Sequence, residues 1–258
     1  MPRLSVCIEM FWPDLPFEER VARVGALGLP AVEFWNHSNK NAAQMAAAAR
    51  AAGVAVAGFV CEPGFALTSP LPVAEHVRGV HESAAAAHAL GCSTMIVTTG
   101  NIVAGESDEM MRRRVVRKLQ AMAAAAAEEG MTLVLEPLNP FVDHPGYWLT
   151  TMAQAADILE EVASPNLKIL YDIYHQQMTE GKIIDNLRKY AAQIGHIHVA
   201  GAPGRTNLVG GDLDYRAVFG AIDAAGYGGY VGLEFRPTGD GAAALREAAQ
   251  LCAAAEPA

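Results

Sequence analysis

Four residues that can bind a cation or move a proton recur in the second half of the sequence, each at the end of an apolar run. They are Glu136, Asp172, His198 and Glu234, and they are separated by 36, 26 and 36 residues. A buried carboxylate is costly unless it is paired or bound to a cation. Three carboxylates that meet around one imidazole would repel one another, and a divalent cation is the simplest group that neutralises them. An oxygen-rich ligand set suits Mg²⁺ or Mn²⁺, so the sequence predicts one such cation on these four side chains.

The elements that must position these residues alternate along the chain. Brief, nearly continuous apolar runs are typical of parallel strands that are covered on both faces. The predicted strands lie near residues 4–10, 31–35, 54–61, 94–99, 132–136, 167–173, 194–200 and 230–235. Eight helices are predicted to follow these strands, one after each, and the helix between the sixth and seventh strands is expected over 182–192.

Strict alternation of strand and helix indicates a parallel sheet. Eight such units in 258 residues have the size of a closed (β/α)8 TIM barrel, and we expect one α/β domain over residues 1–258. A doubly wound open sheet is the competing fold, but no glycine-rich phosphate loop follows the first strand. In a closed barrel the active site lies at the C-terminal ends of the strands, where the four candidate ligands fall.

Structural roles compete with chemistry at several of these positions. A single Asp or Glu at a strand end is often a helix cap or the partner of a loop arginine, but four on consecutive strands favour a shared site. His196 is interpreted as a core histidine. The carboxylates Glu9, Glu33 and Glu62 are interpreted as packing groups at the barrel mouth that could contact substrate. Trp12 and Trp35 could form an aromatic wall around a small substrate.

Composition excludes several classes of protein. The chain is 52% apolar and 18% charged, which is unlike a disordered protein, and its net charge of −9 disfavours nucleic acid and anionic membranes as partners. The arginines at 112–114 lie beside acidic residues and are interpreted as a solvated helix face. No export signal or membrane span is evident, and the four cysteines are scattered, so a cytoplasmic protein is expected. A homo-oligomer is left open.

Five motifs together resemble the hydroxypyruvate isomerase family, within the xylose-isomerase-like superfamily of sugar isomerases and epimerases. They are EPLN at 136–139, DHPGY at 143–147, YDIYH at 171–175, GHIH at 195–198 and GLEF at 232–235. The resemblance spans nearly the whole chain and implies a metal-dependent barrel with the four candidate ligands at the cation. One position departs from the pattern: hydroxypyruvate isomerases tend to have glutamine where this chain has His198. Histidine there is similar to the D-tagatose 3-epimerase branch.

The chemistry expected from this resemblance is isomerisation of a small ketose or keto acid to its aldose or aldehyde isomer, of the hydroxypyruvate/tartronate-semialdehyde type. A proton beside a carbonyl would be removed and returned by Glu136 and Glu234 through a metal-bound cis-enediolate. Asp172 and His198 would serve as ligands only. His175 and Arg205 would bind the substrate, with the guanidinium suited to a keto-acid carboxylate.

Two alternatives to this isomerase remain open, and two others are disfavoured. Ketose 3-epimerisation could use the same site, and a non-catalytic binding protein could retain a vestigial metal site. An endonuclease on such a barrel is disfavoured by the negative charge of the chain. A Schiff-base aldolase is disfavoured because no lysine falls at a strand end.

Overall fold

The eight apolar runs form eight parallel strands that close into a barrel in the order of the sequence. The computed structural model describes residues 1–255, so the last three residues of the domain expected over 1–258 lie outside it. The strands are β1 (Arg3–Cys7), β2 (Ala31–Phe34), β3 (Ala55–Val60), β4 (Thr94–Val97), β5 (Thr132–Leu135), β6 (Leu167–Asp172), β7 (Ile194–Val199) and β8 (Tyr230–Leu233). The predicted (β/α)8 TIM barrel is confirmed.

Strand register sets the relative heights of the side chains at the barrel mouth. Strands β1 and β8 close the barrel, with Leu4 opposite Val231. Next to this pair in the sheet, His198 of β7 lies opposite Asp172 of β6 and opposite Gly232 of β8. Two of the candidate ligands are therefore direct neighbours in the sheet.

The helices form the outer layer of the barrel, and residues 1–255 contain nine α-helices rather than the eight predicted. They are α1 (Phe17–Ala26), α2 (Ala42–Ala52), α3 (Val73–Leu90), α4 (Asp108–Glu128), α5 (Met152–Val162), α6 (Ile173–Thr179), α7 (Ile183–Tyr190), α8 (Tyr215–Ala224) and α9 (Gly241–Ala253). None of these helices combines the length and the apolarity that a bilayer crossing requires.

Helix α6 was not predicted, and its origin is local. Asp172 ends β6 and caps the new helix, because its Oδ1 accepts a hydrogen bond of 2.9 Å from the backbone N–H of His175. The helix stops at Thr179, and Gly181 and Lys182 adopt positive φ angles of 64° and 53° before α7 begins. The strong apolar period of the following segment concealed this short helix in the sequence.

Small residues allow the outer helices to pack closely on one another. A Cβ atom at Gly25 of α1 would lie 2.5 Å from the backbone oxygen of Ala52 in α2, so no larger residue fits there.

The basic cluster on α4 is matched by acids: Arg112 pairs with Glu161, and Arg113 pairs with Glu109 one turn away. This pairing is what the interpretation of a solvated helix face requires.

A buried lysine anchors the loop that follows β3. The Nζ atom of Lys118, on α4, donates hydrogen bonds of 3.2, 3.0 and 2.7 Å to the backbone oxygens of Ala66, Leu67 and Ser69. Burial, with a smaller contribution from Arg114, lowers the pKa of this ammonium group to about 8. The lysine replaces the water that these three carbonyl groups would otherwise need.

His76 of α3 makes the fold sensitive to acid. Its side chain is fully buried, and neither ring nitrogen has a hydrogen-bond partner among the described residues. Burial and the nearby Lys118 lower the pKa of His76 to about 4. An unfolded chain protonates its histidines near pH 6.5. Between those values the unfolded state binds more protons, so the free energy of unfolding decreases as the pH falls from about 6.5 to about 4.

We therefore expect His76 to contribute a loss of roughly 2–3 kcal/mol of stability across that interval. Replacement by leucine, which cannot take up a proton, should remove this contribution. Urea unfolding of the wild type and His76→Leu at pH 7.5 and pH 4.5 measures it. Equal losses in the two proteins would show that the acid sensitivity lies elsewhere.

Candidate metal and active site

The four predicted ligands meet at the C-terminal mouth of the barrel. One ligand atom from each of Glu136, Asp172, His198 and Glu234 lies within 4.8 Å of the other three, and all four side chains are buried. The Nδ1 atom of His198 lies at the centre, 3.0 Å from Glu234 Oε2, 3.6 Å from Glu136 Oε1 and 3.9 Å from Asp172 Oδ2. The side chains come from the ends of four consecutive strands, β5 to β8.

The backbone holds the two glutamates although both lie just beyond the end of a strand. The N–H of Glu136 donates to the carbonyl of Val97 at 3.0 Å, and the N–H of Glu234 donates to that of Val199 at 3.1 Å. These bonds continue the hydrogen-bonding pattern of the sheet by one residue, so the backbone that carries each carboxylate is held in place. Asp172 combines two roles, because Oδ1 caps α6 while Oδ2 faces the cluster.

Glu33 orients His198 from below, and sequence reasoning did not identify this role. Its Oε1 lies 2.8 Å from His198 Nε2, and its Oε2 lies 3.0 Å from His196 Nε2 and accepts a hydrogen bond of 2.6 Å from Ser5 Oγ. A Cβ atom at Gly232 would lie 2.2 Å from Glu33 Oε1, so only glycine leaves room for this carboxylate. The feature of the sequence that could have indicated this role is the position of Glu33, a glutamate in the middle of the apolar run of β2.

Burial and neighbouring charges shift the pKa values of the cluster residues in different directions. Burial raises the pKa of Glu136 to about 7, against the opposing effect of His198. Burial would also raise the pKa of Glu234, but Arg205 and His198 hold it well below its usual range. Although burial disfavours the imidazolium, Glu33 and Glu234 raise the pKa of His198 well above its usual range. Without a cation, Glu136 therefore holds a proton more readily than Glu234 does.

The residues present fit a divalent cation. His198 Nδ1 is buried and has no hydrogen-bond partner within residues 1–255, yet it faces three carboxylate oxygens. Three oxygens and one imidazole nitrogen form a hard ligand set. Nε2 also has no hydrogen-bond partner of good geometry within residues 1–255, but it lies 2.8 Å from Glu33 Oε1, so Nδ1 is the nitrogen that faces the three carboxylates and is available to a cation. A cation would compete with the proton that the same carboxylates favour on this ring.

A cavity of about 390 Å³ opens above the cluster. Its wall includes His175, Arg205 and Trp35, three of the four residues predicted to contact substrate. Trp35 also donates a hydrogen bond of 2.6 Å from Nε1 to Glu234 Oε1.

His175 lines this cavity beside the cluster, and its Nε2 lies 3.8 Å from Asp172 Oδ2. Its Nδ1 accepts a hydrogen bond of 3.3 Å from the backbone N–H of Asn139, so the proton of the neutral ring lies on Nε2. Nε2 is buried and has no hydrogen-bond partner among the described residues. Burial and the charge of Arg205 hold the pKa of His175 well below its usual range, which keeps the ring neutral. The geometry suits a hydrogen bond to a substrate oxygen.

Arg205 reaches the cavity but is already engaged by carboxylates. Its Nη2 donates to Glu234 Oε2 at 2.8 Å and lies 3.8 Å from Asp172 Oδ2, and its Nη1 lies 3.8 Å from Asp143 Oδ1. Asp143 in turn accepts a hydrogen bond of 2.7 Å from Tyr174. The guanidinium of Arg205 is therefore already paired with carboxylates of the protein.

The structure does not bring Trp12 to this cavity. The indole packs 5.7 Å from the ring of Phe11 and stacks with Arg23 of α1. Its Nε1 also lies 3.2 Å from the position of a Cβ at Gly241, the first residue of α9. The backbone of Trp12 has a φ of 50°, and its side chain is not among the residues that line the cavity.

The other two carboxylates at the strand ends have different surroundings. Glu9 pairs with Lys40 at 2.5 Å, which is the packing role that was expected. Glu62, two residues beyond the end of β3, lines the cavity.

Comparison with known proteins gives consistent results over most of the chain. A sequence model of the xylose isomerase-like TIM barrel family matches residues 21–255. The 2-oxo-tetronate isomerase of Cupriavidus necator is 34% identical over 252 residues, which cover 95% of this chain and 96% of that protein. The hydroxypyruvate isomerase of Escherichia coli K12 is 34% identical over 189 residues, 73% of this chain and 70% of that one.

A solved structure described as an AP endonuclease, family 2, from Brucella melitensis superimposes with a TM-score of 0.90. It is 26% identical, and the match covers 97% of this chain and 99% of that chain. The whole described barrel therefore has a close counterpart among solved structures.

Proposed function

The chain belongs to the xylose isomerase-like TIM barrel family, and from that premise we propose that this isomerase acts on a short 2-keto acid with the help of one divalent cation, Mn²⁺ or Mg²⁺. The observation that carries the proposal is the unpartnered Nδ1 of His198, which faces the three carboxylates of Glu136, Asp172 and Glu234. The relatives named above support the substrate class. Hydroxypyruvate and 2-oxo-tetronate both carry a hydroxyl group on the carbon beside a 2-keto group.

Interconversion of such a keto acid requires a proton to leave one carbon beside a carbonyl and to return to another. The chemistry that the cation supplies is polarisation of the carbonyl oxygen as a Lewis acid. Glu136 and Glu234 each place a carboxylate oxygen near His198 Nδ1, at 3.6 and 3.0 Å. One would take the proton and the other would return it, since both border the same cavity.

The remaining groups orient the substrate and limit access of water. The Nε2–H of His175 donates to a substrate oxygen, and the tautomer is fixed by the Asn139 backbone. Arg205 holds Glu234 in its ionised form, because their 2.8 Å contact favours the carboxylate. Trp35 covers the Glu234 carboxylate and shields it from bulk water.

Solvent exchange tests the proposal whichever product the reaction yields. The protein, freed of metal by a chelator, is incubated in D₂O with hydroxypyruvate or 2-oxo-tetronate, with and without added Mn²⁺ or Mg²⁺. We expect deuterium at the carbon beside the carbonyl only when the cation is present, and a rate restored by its return.

Product analysis separates the competing functions. An isomer with its carbonyl moved from C2 to C3 supports the proposal: an aldehyde from hydroxypyruvate, or a 3-keto acid from 2-oxo-tetronate. Inversion of a ketose at C3, with no exchange into keto acids, would instead establish an epimerase. Tight cation binding with no exchange into keto acids or ketoses would indicate a binding protein.

A further inference from the structure

A second arginine, Arg236, borders the cavity, and its guanidinium is unpaired among the described residues. Arg236 follows Glu234 by two residues, lines the cavity and is exposed to solvent. Its guanidinium makes no hydrogen bond or ion pair within the part of the chain that the structure describes. Arg205 differs, because its guanidinium donates to Glu234 at 2.8 Å and lies 3.8 Å from two other carboxylates.

The backbone that carries Arg236 is held in place. Its N–H donates to the carbonyl of Arg205 at 2.9 Å, and the N–H of Thr238 donates to Asn207 Oδ1 at 2.9 Å. The loop after β8 is thus fastened to the loop after β7 on both sides of Pro237. The backbone of Arg236 is therefore held beside the cavity, and its side chain lies at the rim.

The charge balance of the cavity leaves a role for this cation. Five carboxylates border the cavity or form its floor, against one engaged guanidinium. They are Glu62, Glu136, Asp143, Asp172 and Glu234. A bound dication and Arg205 together supply three positive charges for these five groups, so the site would still repel an anionic substrate. The unpaired charge of Arg236 offsets part of that repulsion at the point where a substrate enters.

We propose that Arg236 is the residue that selects substrates with a carboxylate over neutral ketoses, by direct pairing of its guanidinium with that carboxylate. The inference rests on the proposed function for the class of substrate. It differs from the expectation for Arg205, which the structure ties to the carboxylates of the cluster. Guanidinium recognises carboxylate through two parallel N–H donors, which a neutral hydroxymethyl group cannot match.

Two non-reacting ligands of similar size probe this pairing. Glycerate carries a carboxylate and glycerol does not, so calorimetric titration of the Mn²⁺-loaded protein measures anion recognition without turnover. For Arg236→Gln we expect glycerate binding to weaken about 10- to 100-fold, with partial recovery in Arg236→Lys. The matched control is Arg246→Gln, an exposed arginine on α9 outside the cavity, which should bind as the wild type does.

Kinetics and metal binding complete the test. In Arg236→Gln the KM for hydroxypyruvate should rise by a similar factor, kcat should change less than about threefold, and Mn²⁺ affinity by electron paramagnetic resonance should be unchanged. Glycerate binding that is equal in the wild type and Arg236→Gln overturns the inference, even if the wild type exchanges deuterium into keto acids. Glycerate binding that depends on Arg236, without any such exchange, supports the inference and overturns the proposed function.

Discussion

Replacement of Glu136 by glutamine should lower the rate of deuterium exchange into the keto acid by about 10³-fold or more, because general acid–base groups commonly contribute 10²–10⁴-fold. Glutamine has nearly the same shape but cannot accept or return a proton. It also offers an amide oxygen in place of a carboxylate at the cluster, where Glu136 Oε1 lies 3.6 Å from His198 Nδ1. The measurement is the initial rate of exchange in D₂O at saturating Mn²⁺, followed by NMR.

Two further measurements separate chemistry from folding and from loss of the cation. The unfolding midpoint should be no lower than that of the wild type, since the amide keeps the volume of the side chain and removes a buried charge. Titration with Mn²⁺ shows whether the variant is loaded during the assay. Glu128→Gln makes the same change on the exposed end of α4 and should leave exchange intact. Normal turnover by loaded Glu136→Gln would exclude Glu136 from proton transfer.

Replacement of Glu33 by glutamine should weaken Mn²⁺ binding by about 10- to 100-fold, although Glu33 is not one of the four ligands. The carboxylate lies 2.8 Å from His198 Nε2, where its charge and position hold the ring with Nδ1 towards the cluster. Burial alone would raise the pKa of Glu33, but His198 and His196 hold it well below its usual range, so it is ionised in the folded protein. A neutral amide keeps the volume and removes that charge.

The control for this change exists on the outside of the barrel. Glu129 also lies between two histidines, 2.7 Å from His81 Nδ1 and 3.3 Å from His88 Nε2. Glu129→Gln should therefore leave Mn²⁺ affinity unchanged. Electron paramagnetic resonance of bound Mn²⁺ reports both affinity and ligand symmetry. An unaltered spectrum and affinity in Glu33→Gln would mean that His198 is oriented by packing alone.

The barrel and the convergence of its four central residues could be predicted because both depend on short-range patterns. Apolar runs at regular spacing fix the number and direction of the strands, and closure then brings the ends of β5 to β8 together. The positions of Glu136 and Glu234 needed no tertiary information. Each lies one residue beyond the end of its strand, and its backbone N–H makes one further hydrogen bond to the neighbouring strand.

Other features depend on contacts between distant segments and could not be inferred from the sequence. The role of Glu33 requires that β2 faces β7 across the barrel and that Gly232 leaves space for its carboxylate. Trp12 carried the right chemistry for a substrate wall, but its indole packs beside Gly241 of α9 and Arg23 of α1. Arg205 and Arg236 look alike in the sequence, and only the structure shows which guanidinium is already paired.

Asp172 fixes the positions of both the ligand cluster and the ring of His175. Its Oδ2 faces the cluster, while its Oδ1 accepts the N–H of His175, the residue whose ring presents a donor to the cavity. The spacing between the ligand centre and that donor is therefore built into three consecutive peptide units rather than into two independent loops. An engineer who wishes to admit longer molecules can remodel the loops after β7 and β8, but must leave the junction of β6 and α6 as it stands.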